Sequence, residues 1–544
     1  MDSLKRIVTC LSLTIFIAGS AAAQSKADRK TIKQLKEDIG YLASDELEGR
    51  RVGSVGEQKA ADYIEKWYKQ NGIEGYEGKF RYPFQYIEGK QIQPLTQIRV
   101  GSNILNVKED AFPLAFSANK RAIGEVLPNV LEQGTVWLMP LYSDEEEAKD
   151  AHFDYEKNMY DRAKEAQKQG ATGVVFYDNY GAKFAPEYNA KSEYETLEIP
   201  VAYISNKAFK TYVPEQRTNV PVEVNVTLKR VETTGHNVAA YINNGAKYTV
   251  AIGAHFDHLG YGHDGNSLDA KKSGQVHNGA DDNASGTAAL MQIAAWIKDK
   301  KLDNYNYLFL HFSGEEEGLI GSKAFVKEMN LDSNKIAYML NMDMVGRLND
   351  STHALTVGGV GTSPAWWSLP KNKKFKIAVD SAGAGPSDHT SFYYAGIPVL
   401  FFFTGLHTDY HKPSDDADKI NYEGEAMVMN YIFDVVKYMD GQPRPSYRTT
   451  KQPSVGKVRF KVTLGIMPDY SFQEGGVRVD GVTENKPAIR AGLKGGDIII
   501  QLGEHKVLGM QTYMEALGAF KEGDKTTVTI QRDGKEMTFP LEFK

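Results

Sequence analysis

The chain has 544 residues, of which 41% are hydrophobic and 25% charged, so it is globular and too long for a single hydrophobic core. Its formal net charge is −6 and no block of five basic residues occurs, so nucleic acid is not an expected partner. After the first 23 residues no apolar run is long enough to span a membrane, and the mature chain is expected to contain no membrane span.

The first residues have the layout of a cleaved secretory signal. Lys5 and Arg6 precede an apolar stretch, Ile7–Ala18, and small residues follow up to Ala23. The stretch has about 12 residues, whereas roughly 20 are needed to span a bilayer, so cleavage near Ala23 is favoured over a membrane anchor. The only cysteine, Cys10, lies inside this segment, so the mature chain would form no disulfide. We therefore expect export to a periplasm or to the cell exterior.

The next 200 residues divide into a helical part and a β-rich part. Apolar residues spaced by three and four predict helices at 35–41 and 60–68. From Gln93 to Lys229, short valine and isoleucine runs predict an inserted domain, with one helix that ends near Ala166 and a strand at Gly173–Tyr177.

After Gly235 the pattern alternates between extended apolar runs and helices. A helix is predicted from about Ser285 to Lys298. The predicted strands are Thr249–Ala254, Tyr307–Phe312, Ile336–Met342 and Ile397–Phe403. Helices between such runs favour a mostly parallel sheet covered on both faces, and ligands of these sheets bind at the carboxyl ends of the strands.

Side chains that bind metals stand just beyond these strands or before the helix. They are His255 and Asp257, Asp281, Glu315 and Glu316, Asp343, and His411. Two imidazoles, one carboxylate that can bridge, two terminal carboxylates and a spare glutamate make up the ligand set of a two-zinc hydrolase.

Each of these blocks also has a simpler interpretation. Asp282, Asn283 or Ser285 is equally suited to cap the following helix. A single histidine at a strand end is more often structural than a ligand, and His407 is close enough to His411 to be the ligand in its place. The occurrence of all five blocks together, in this order, favours the metal site.

The blocks, together with the segment Leu47–Gly53, resemble the co-catalytic zinc aminopeptidase family, whose members include bacterial leucyl aminopeptidase, glutamate carboxypeptidase and glutaminyl cyclase. The resemblance covers the region from about Gly235 to Gly441 and implies two zinc ions per chain. By matching motif, it implies that His255 and Asp343 hold one zinc, Glu316 and His411 hold the other, Asp281 bridges them, Glu315 is the general base, Asp257 supports His255, and Tyr410 stabilises the oxyanion. Asp388 and His389, in the segment Gly385–Phe392, receive a substrate-loop or supporting role.

The flanking segments resemble accessory domains. Residues 93–229 resemble a protease-associated domain, most clearly at Gly170–Val175, and residues 456–544 resemble a PDZ domain. The PDZ markers are the loop Leu464–Met467 and the segment Pro487–Ile499. This domain would bind the carboxyl terminus of a peptide or part of the same protein.

The expected fold is therefore α/β. Residues 24–92 and 230–441 would form a zinc-peptidase domain with a mostly parallel central sheet flanked by helices. The β-rich insert, a linker at 442–455 and a small PDZ-like β-barrel complete the chain.

The expected function is that of an exported di-zinc aminopeptidase that removes N-terminal residues from peptides, using a hydroxide between the metals and Glu315 as base. Three alternatives remain open at this point. They are a single-zinc glutaminyl cyclase, a carboxypeptidase of the same family, and a non-catalytic peptide-binding protein.

Overall fold

A computed structural model describes residues 29–150, 153–182, 185–192, 194–213, 219–264, 266–269, 274–328, 332–450, 462–468, 475–482, 486–521, 523–532 and 534–543. The predicted signal peptide, residues 1–23, lies outside the described residues. Contacts divide the chain into two compact units, one formed by Gln85–Thr233 and the other by the stretches on either side of it.

The described chain begins with two helices and two strands. They are α1 (29–42), α2 (Val55–Gln70), β1 (Glu74–Gly75) and β2 (Arg81–Ile92). In α1 the side chains of Leu35, Ile39 and Leu42 are fully buried, as their spacing of four and three predicts. The Ser54 hydroxyl accepts a hydrogen bond from the Glu57 amide at 3.1 Å and so caps the start of α2.

The middle of the chain is rich in strands. Its elements are β3 (Gln97–Val100), β4 (Asn103–Ile104), β5 (Ala111–Pro113), β6 (Arg121–Val126), β7 (Val136–Pro140), α3 (Glu145–Lys149), α4 (Tyr155–Lys168), β8 (Gly173–Tyr177), β9 (Val201–Ile204), α5 (Asn206–Tyr212), β10 (Val220–Asn225) and β11 (Leu228–Ile242). One sheet has the order β4-β3-β10-β6 and is antiparallel, and the other has the order β5-β9-β8-β7 with β7, β8 and β9 parallel. The helix and the strand predicted near Ala166 and at Gly173–Tyr177 are α4 and β8.

The next part of the chain completes a nine-stranded sheet. Its elements are β12 (Thr249–His255), α6 (Gly286–Lys300), β13 (Asn306–Phe312), α7 (Ile320–Glu328), β14 (Ile336–Met342), β15 (Ala354–Gly358), β16 (Lys376–Val379), α8 (His389–Tyr394), β17 (Val399–Phe403) and α9 (Tyr422–Asp440). The strand order is β1-β11-β13-β12-β14-β17-β15-β16, with β2 paired to β11. The four central strands β13, β12, β14 and β17 are parallel, whereas β1, β11 and β15 pair antiparallel to their inner neighbours.

Helices cover both faces of this sheet. Buried residues of α1, α2, α6 and α9 pack with one set of strand side chains, for example Val250 and Ile252 of β12. Phe325 of α7 and Phe392 of α8 pack with the alternate set, which includes Ala251. The central strands are buried throughout, as expected of parallel strands covered on both sides. The predicted α/β class with a largely parallel centre is confirmed, and the sheet as a whole is mixed.

The C-terminal domain contains β18 (Ile466–Pro468), β19 (Val477–Val482), α10 (Pro487–Ala491), β20 (Ile498–Leu502), β21 (His505–Lys506), α11 (Met510–Gly518), β22 (Lys525–Arg532) and β23 (Lys535–Glu542). The sequence predicted a small barrel here. In the described part of this domain the strands instead form an open six-stranded sheet with β18 at one end and β23 at the other.

The first part of the predicted linker, residues 442–450, packs along the α/β domain. The Tyr305 hydroxyl donates to the Gln442 carbonyl at 2.8 Å, the Arg448 amide donates to the Thr362 carbonyl at 2.7 Å, and the Gly383 amide donates to the Thr450 hydroxyl at 2.9 Å. Among the helices that the structure describes, none combines the length and the apolar character needed to cross a membrane.

Candidate metal centre

Most of the predicted ligands lie together near the carboxyl ends of the central parallel strands. His255 is the last residue of β12, and Asp343 directly follows β14. Glu315 and Glu316 lie just beyond the end of β13, and His411 lies in the loop after β17. The strand register pairs His255 with Phe312 and Met342 with Phe402, so these ends are level with one another. The parallel sheet therefore gathers residues that are far apart in sequence.

The first group forms around the buried His255. Its Nδ1 lies 3.2 Å from the carbonyl oxygen of Asp257, and its Nε2 lies 3.3 Å from Asp343 Oδ1 and 3.4 Å from Asp282 Oδ1. A carbonyl oxygen only accepts, so Nδ1 carries the proton and the Nε2 lone pair faces the two carboxylates. His255, Asp282 and Asp343 thus form a group with ligand geometry for a metal.

The second group forms around His411. Its Nδ1 is 2.8 Å from the carbonyl oxygen of Asn266, which fixes the proton on Nδ1 by the same argument. Its Nε2 is 3.3 Å from Asp282 Oδ2 and 3.1 Å from Glu316 Oε2. His258, Asp282 and Glu316 also lie close enough together to hold an ion.

Asp282 belongs to both groups, whereas the sequence analysis chose its neighbour Asp281 as the bridging residue. One oxygen of Asp282 faces His255 and the other faces His411. Asp281 turns away, because its Oδ1 accepts hydrogen bonds from the Ser285 hydroxyl at 3.0 Å and the Gly346 amide at 2.7 Å, and its Oδ2 lies 3.2 Å from His407 Nε2. In this arrangement Asp282 lies between the two histidines, whereas the predicted bridging residue, Asp281, lies beside His407.

The loop backbone explains this one-residue difference. Asp282 (φ −105°, ψ 91°) and Asn283 (φ −132°, ψ 46°) are not helical, so neighbouring side chains point in different directions. One carboxylate oxygen of Asp415 accepts the backbone amides of both Asp281 and Asp282, at 3.0 and 3.1 Å. The capping role that the sequence left open falls to Asn283, whose Oδ1 accepts from the Gly286 amide at the start of α6, at 2.9 Å.

The Arg50 side chain links backbone segments next to the site through hydrogen bonds to their carbonyls. Its fully buried guanidinium donates to the carbonyls of Phe256 at 2.6 Å, Asn278 at 2.7 Å and Gly279 at 2.9 Å, and also to the Leu42 carbonyl. Burial lowers the pKa of Arg50 to about 10, against the opposing effect of nearby aspartates, so it stays charged at neutral pH. This cation lies under the backbone that carries His255 and Asp282.

The side chains of the consecutive residues Glu315 and Glu316 lie beside different ligand groups. The Glu315 amide donates to Asp257 Oδ1 at 3.2 Å, and Glu315 Oε2 lies 4.0 Å from His255 Nε2. Upstream, Asn237 Oδ1 accepts the Ser313 amide and Glu57 Oε1 accepts the Ser313 hydroxyl, which fixes the start of this turn. Glu315 therefore faces the first group, whereas Glu316 belongs to the second.

The electrostatics of the site favour a bound cation. Burial raises the pKa of Glu315 well above its ordinary value, and the Asp343 and Glu316 carboxylates add to the shift against the effect of His255. Burial alone would lower the pKa of His411, but Asp282 and Glu316 raise it to about 11. The raised pKa of Glu315 reflects the cost of a buried negative charge, and that of His411 reflects the attraction of a positive charge to Asp282 and Glu316.

The donor set fits zinc. Ligand atoms on one tetrahedral zinc with bonds of 2.0–2.2 Å stand about 3.3–3.6 Å apart. The contacts between Nε2 atoms and carboxylate oxygens in the two groups are 3.1 to 3.4 Å, and the donors are imidazole nitrogen and carboxylate oxygen.

Three further predicted residues adjoin the centre. Tyr410 stacks on His411 with ring centroids 3.9 Å apart, and burial together with Asp282 and Glu316 raises its pKa far above the ordinary value. Burial raises the pKa of Asp388 to about 7, with Asp257 and Asp343 adding to the shift and His255 opposing it. His389 is buried and stacks on Phe401.

Sequence analysis missed several residues that shape this centre. Asp282 was considered only as a helix cap, and His258, Asp415 and Arg50 received no individual role. The histidine three residues after His255 was a signal for His258, but nothing in the sequence distinguished it from a structural histidine.

The site and the C-terminal domain both match known families. Residues 237–436 match peptidase family M28, and residues 458–542 match the PDZ domain family. The chain contains an M28 peptidase domain and a PDZ domain.

Individual relatives are distant. Aminopeptidase YwaD of Bacillus subtilis (strain 168) is 26% identical over 285 residues, which cover 48% of this chain and 56% of that protein. A probable leucine aminopeptidase of Trichophyton verrucosum is 28% identical over 222 residues, covering 36% of this chain and 57% of that protein. The chain thus spans a little over half the length of these curated relatives. Among solved structures, an aminopeptidase from Aneurinibacillus sp. strain AM-1 matches with a TM-score of 0.45 and 21% identity, covering 78% of this chain and 96% of that one.

Proposed function

We propose that the protein is an exported aminopeptidase that uses two zinc ions to hydrolyse the first peptide bond of its substrates. The observation that carries this proposal is the Asp282 carboxylate, which directs one oxygen to each of the two histidine-centred groups. The M28 match and the relatives named as aminopeptidases support the same reaction class.

The contacts around the two histidines support one assignment of the ligands. His255 and Asp343 would hold one ion, Glu316 and His411 the other, and Asp282 would bridge them, in place of the Asp281 of the sequence-based prediction. Asp257 keeps His255 in the tautomer that leaves Nε2 free. When bound, two zinc ions would polarise the scissile carbonyl and make the water that they share more acidic.

Glu315 is the proposed general base. Its carboxylate lies next to the first group, and it is not needed as a ligand of either group. Burial raises the pKa of Glu315, which makes its carboxylate a stronger base than an exposed one. It would accept the proton of the attacking water and deliver it to the departing amine.

Tyr410 is the proposed oxyanion donor. Its ring stacks on His411, and burial together with the nearby carboxylates raises its pKa, which keeps the hydroxyl protonated at neutral pH. A protonated phenol can donate a hydrogen bond to the oxygen on which negative charge develops.

The experiment that tests this function combines metal analysis with a substrate panel. Full-length protein is assayed on aminoacyl-nitroanilides, on N-blocked analogues and on peptides trimmed from the carboxyl end, with and without chelator. We expect two zinc ions per chain and chelator-sensitive cleavage confined to free amino ends. Pyroglutamate formation with one zinc would indicate a glutaminyl cyclase. Release of C-terminal residues would indicate a carboxypeptidase, and absence of turnover by the zinc-loaded protein would indicate a binding protein.

Export and the accessory domains belong to the same proposal. N-terminal sequencing of the protein from periplasmic or culture fractions tests cleavage near Ala23. The PDZ domain would receive a peptide carboxyl terminus or part of the same chain, and residues 93–229 would act as a protease-associated domain that shapes access to the site.

A further inference from the structure

A third imidazole, that of His258, reaches the second ligand group. Its Nδ1 lies 2.7 Å from Glu316 Oε1 and 3.9 Å from Asp282 Oδ2. The residue is buried, and its ring lies 5.9 Å from that of His411, at a steep angle to it.

The distances separate a hydrogen-bond donor from a metal ligand. His411 Nε2 already lies 3.1 Å from Glu316 Oε2 and 3.3 Å from Asp282 Oδ2, the spacing of atoms that share one ion. His258 faces the other oxygen of Glu316 at a length typical of a charge-assisted hydrogen bond. A carboxylate only accepts, so the His258 Nδ1 carries the proton and has no lone pair to offer an ion.

The other ring nitrogen supports this tautomer. His258 Nε2 is buried and has no hydrogen-bond partner among the described residues. With the proton on Nδ1, Nε2 is an unprotonated acceptor. If Nδ1 bound the metal instead, Nε2 would become a buried N–H without an acceptor, the rarer and more costly arrangement.

The Gly279 backbone packs against the His258 ring. Gly279, at φ +55°, lies so close to it that a Cβ at this position would stand 2.5 Å from the His258 Cγ and Cδ2 atoms. Gly279 is in turn fixed by Arg50, which donates to its carbonyl at 2.9 Å. This direct packing limits the orientations open to the His258 ring.

We propose that His258 is a positioning residue for Glu316: its Nδ1–H holds Oε1, so that Oε2 points at the ion held by His411 and Asp282. This inference rests on the proposed two-zinc function and assigns a specific supporting contact to one of its two sites. In the first group, His255 is the only imidazole among the described residues, so no second histidine supports Asp343 as His258 supports Glu316. The two sites should therefore respond differently to loss of His258.

The test measures zinc binding by full-length, metal-depleted protein in competition with a chromophoric chelator. Asparagine places an amide nitrogen near the position of Nδ1, glutamine places one near Nε2, and phenylalanine retains the ring without a donor. His258→Phe and His258→Gln should raise the Kd of one of the two ions by about 10–100-fold, the usual cost of losing an outer hydrogen bond to a ligand. His258→Asn should leave both Kd values within about threefold of the wild type, as should the control His353→Phe, which removes a histidine whose Nδ1 contacts a backbone carbonyl at the surface.

Cobalt substitution supplies a second readout. His258→Asn should keep the visible absorption bands of the wild-type cobalt protein, because no ligand has changed. If His258→Asn raises the zinc Kd as much as His258→Phe does and also shifts these bands, His258 is itself a ligand and the proposal is overturned. It is also overturned if all three His258 variants bind both ions as the wild type does. If His258→Phe does not fold, the comparison of asparagine with glutamine decides the question. A wild-type protein that binds no zinc would instead refute the proposed function on which the inference rests.

Discussion

Two adjacent aspartates give a sharp test of the metal centre. Asp282→Asn replaces one carboxylate oxygen by an NH2 group that cannot bind a cation and removes the negative charge from the other oxygen, so it weakens both ligand groups, because Oδ1 faces His255 and Oδ2 faces His411. Loss of a supporting residue around a metal ligand already costs 10–100-fold in affinity. We therefore expect loss of a shared ligand to raise the Kd of each zinc by more than about 100-fold, or about 2.7 kcal/mol per ion.

Asp281→Asn is the matched control, with the same chemical change one residue earlier. The new amide oxygen can still accept from the Ser285 hydroxyl and the Gly346 amide, so the main loss is the contact with His407. The expected cost is about 1–3 kcal/mol in stability. Both zinc Kd values should stay within about tenfold of the wild type, below the range for loss of a ligand's direct partner.

Both variants are dialysed at fixed free zinc, and their metal content, nitroanilide hydrolysis and thermal unfolding are then measured. Unfolding of the metal-free forms shows whether each chain is folded before zinc is added. If Asp281→Asn loses both ions while Asp282→Asn retains them, the bridge is Asp281 and our assignment is refuted. If both variants retain two ions with normal affinity, neither residue bridges.

Three further predictions concern single side chains. Glu315→Gln should retain two zinc ions while kcat falls by roughly 100- to 10,000-fold, the usual contribution of a general base, and a near wild-type rate in the metal-loaded variant would remove Glu315 from the mechanism. Tyr410→Phe should lower kcat by about 100-fold with KM and metal content little changed, whereas an effect confined to KM would speak against an oxyanion role. His311 is buried against the Tyr68 hydroxyl at 2.8 Å, and burial lowers its pKa to about 3, below the ordinary value of 6.5. Below pH 6.5 His311 binds a proton in the unfolded chain but stays neutral in the folded chain. The free energy of unfolding should therefore fall by about 1.4 kcal/mol per pH unit down to about pH 3. His311→Gln should reduce the slope of the free energy of unfolding between pH 6 and pH 4 by that amount, and an unchanged slope would contradict the assignment.

Much of the fold could be predicted because its signals are local and strong. The central strands are continuous apolar runs, and the helices between them have regular apolar spacing, so strands β12, β13, β14 and β17 fall where the sequence predicts them. Once these strands are taken as parallel, their carboxyl ends must coincide. His255, Glu315, Glu316 and Asp343 are therefore predicted to lie close together, and in the structure they lie at these strand ends.

The choice between Asp281 and Asp282 could not be made in this way. Both follow the same glycine and precede the same helix, and only the backbone dihedrals of the loop decide which carboxylate faces the histidines. Those dihedrals are set from outside the loop, by the carboxylate of Asp415 more than 130 residues later in the chain. The open sheet of the PDZ domain was missed for a similar reason, because closure of a sheet depends on strand pairing and not on the strands themselves.

Arg50 shows why a cation belongs beneath a site that is itself built to hold cations. Its charge lies near Asp257, Asp282, Asp415 and Glu316, yet its described hydrogen bonds go to backbone carbonyls and not to these carboxylates. A salt bridge to Asp282 would compete with zinc for the same oxygens. By bonding to carbonyls, Arg50 offsets part of the carboxylate repulsion at long range and fixes the two ligand loops, while the oxygens remain free for the metals.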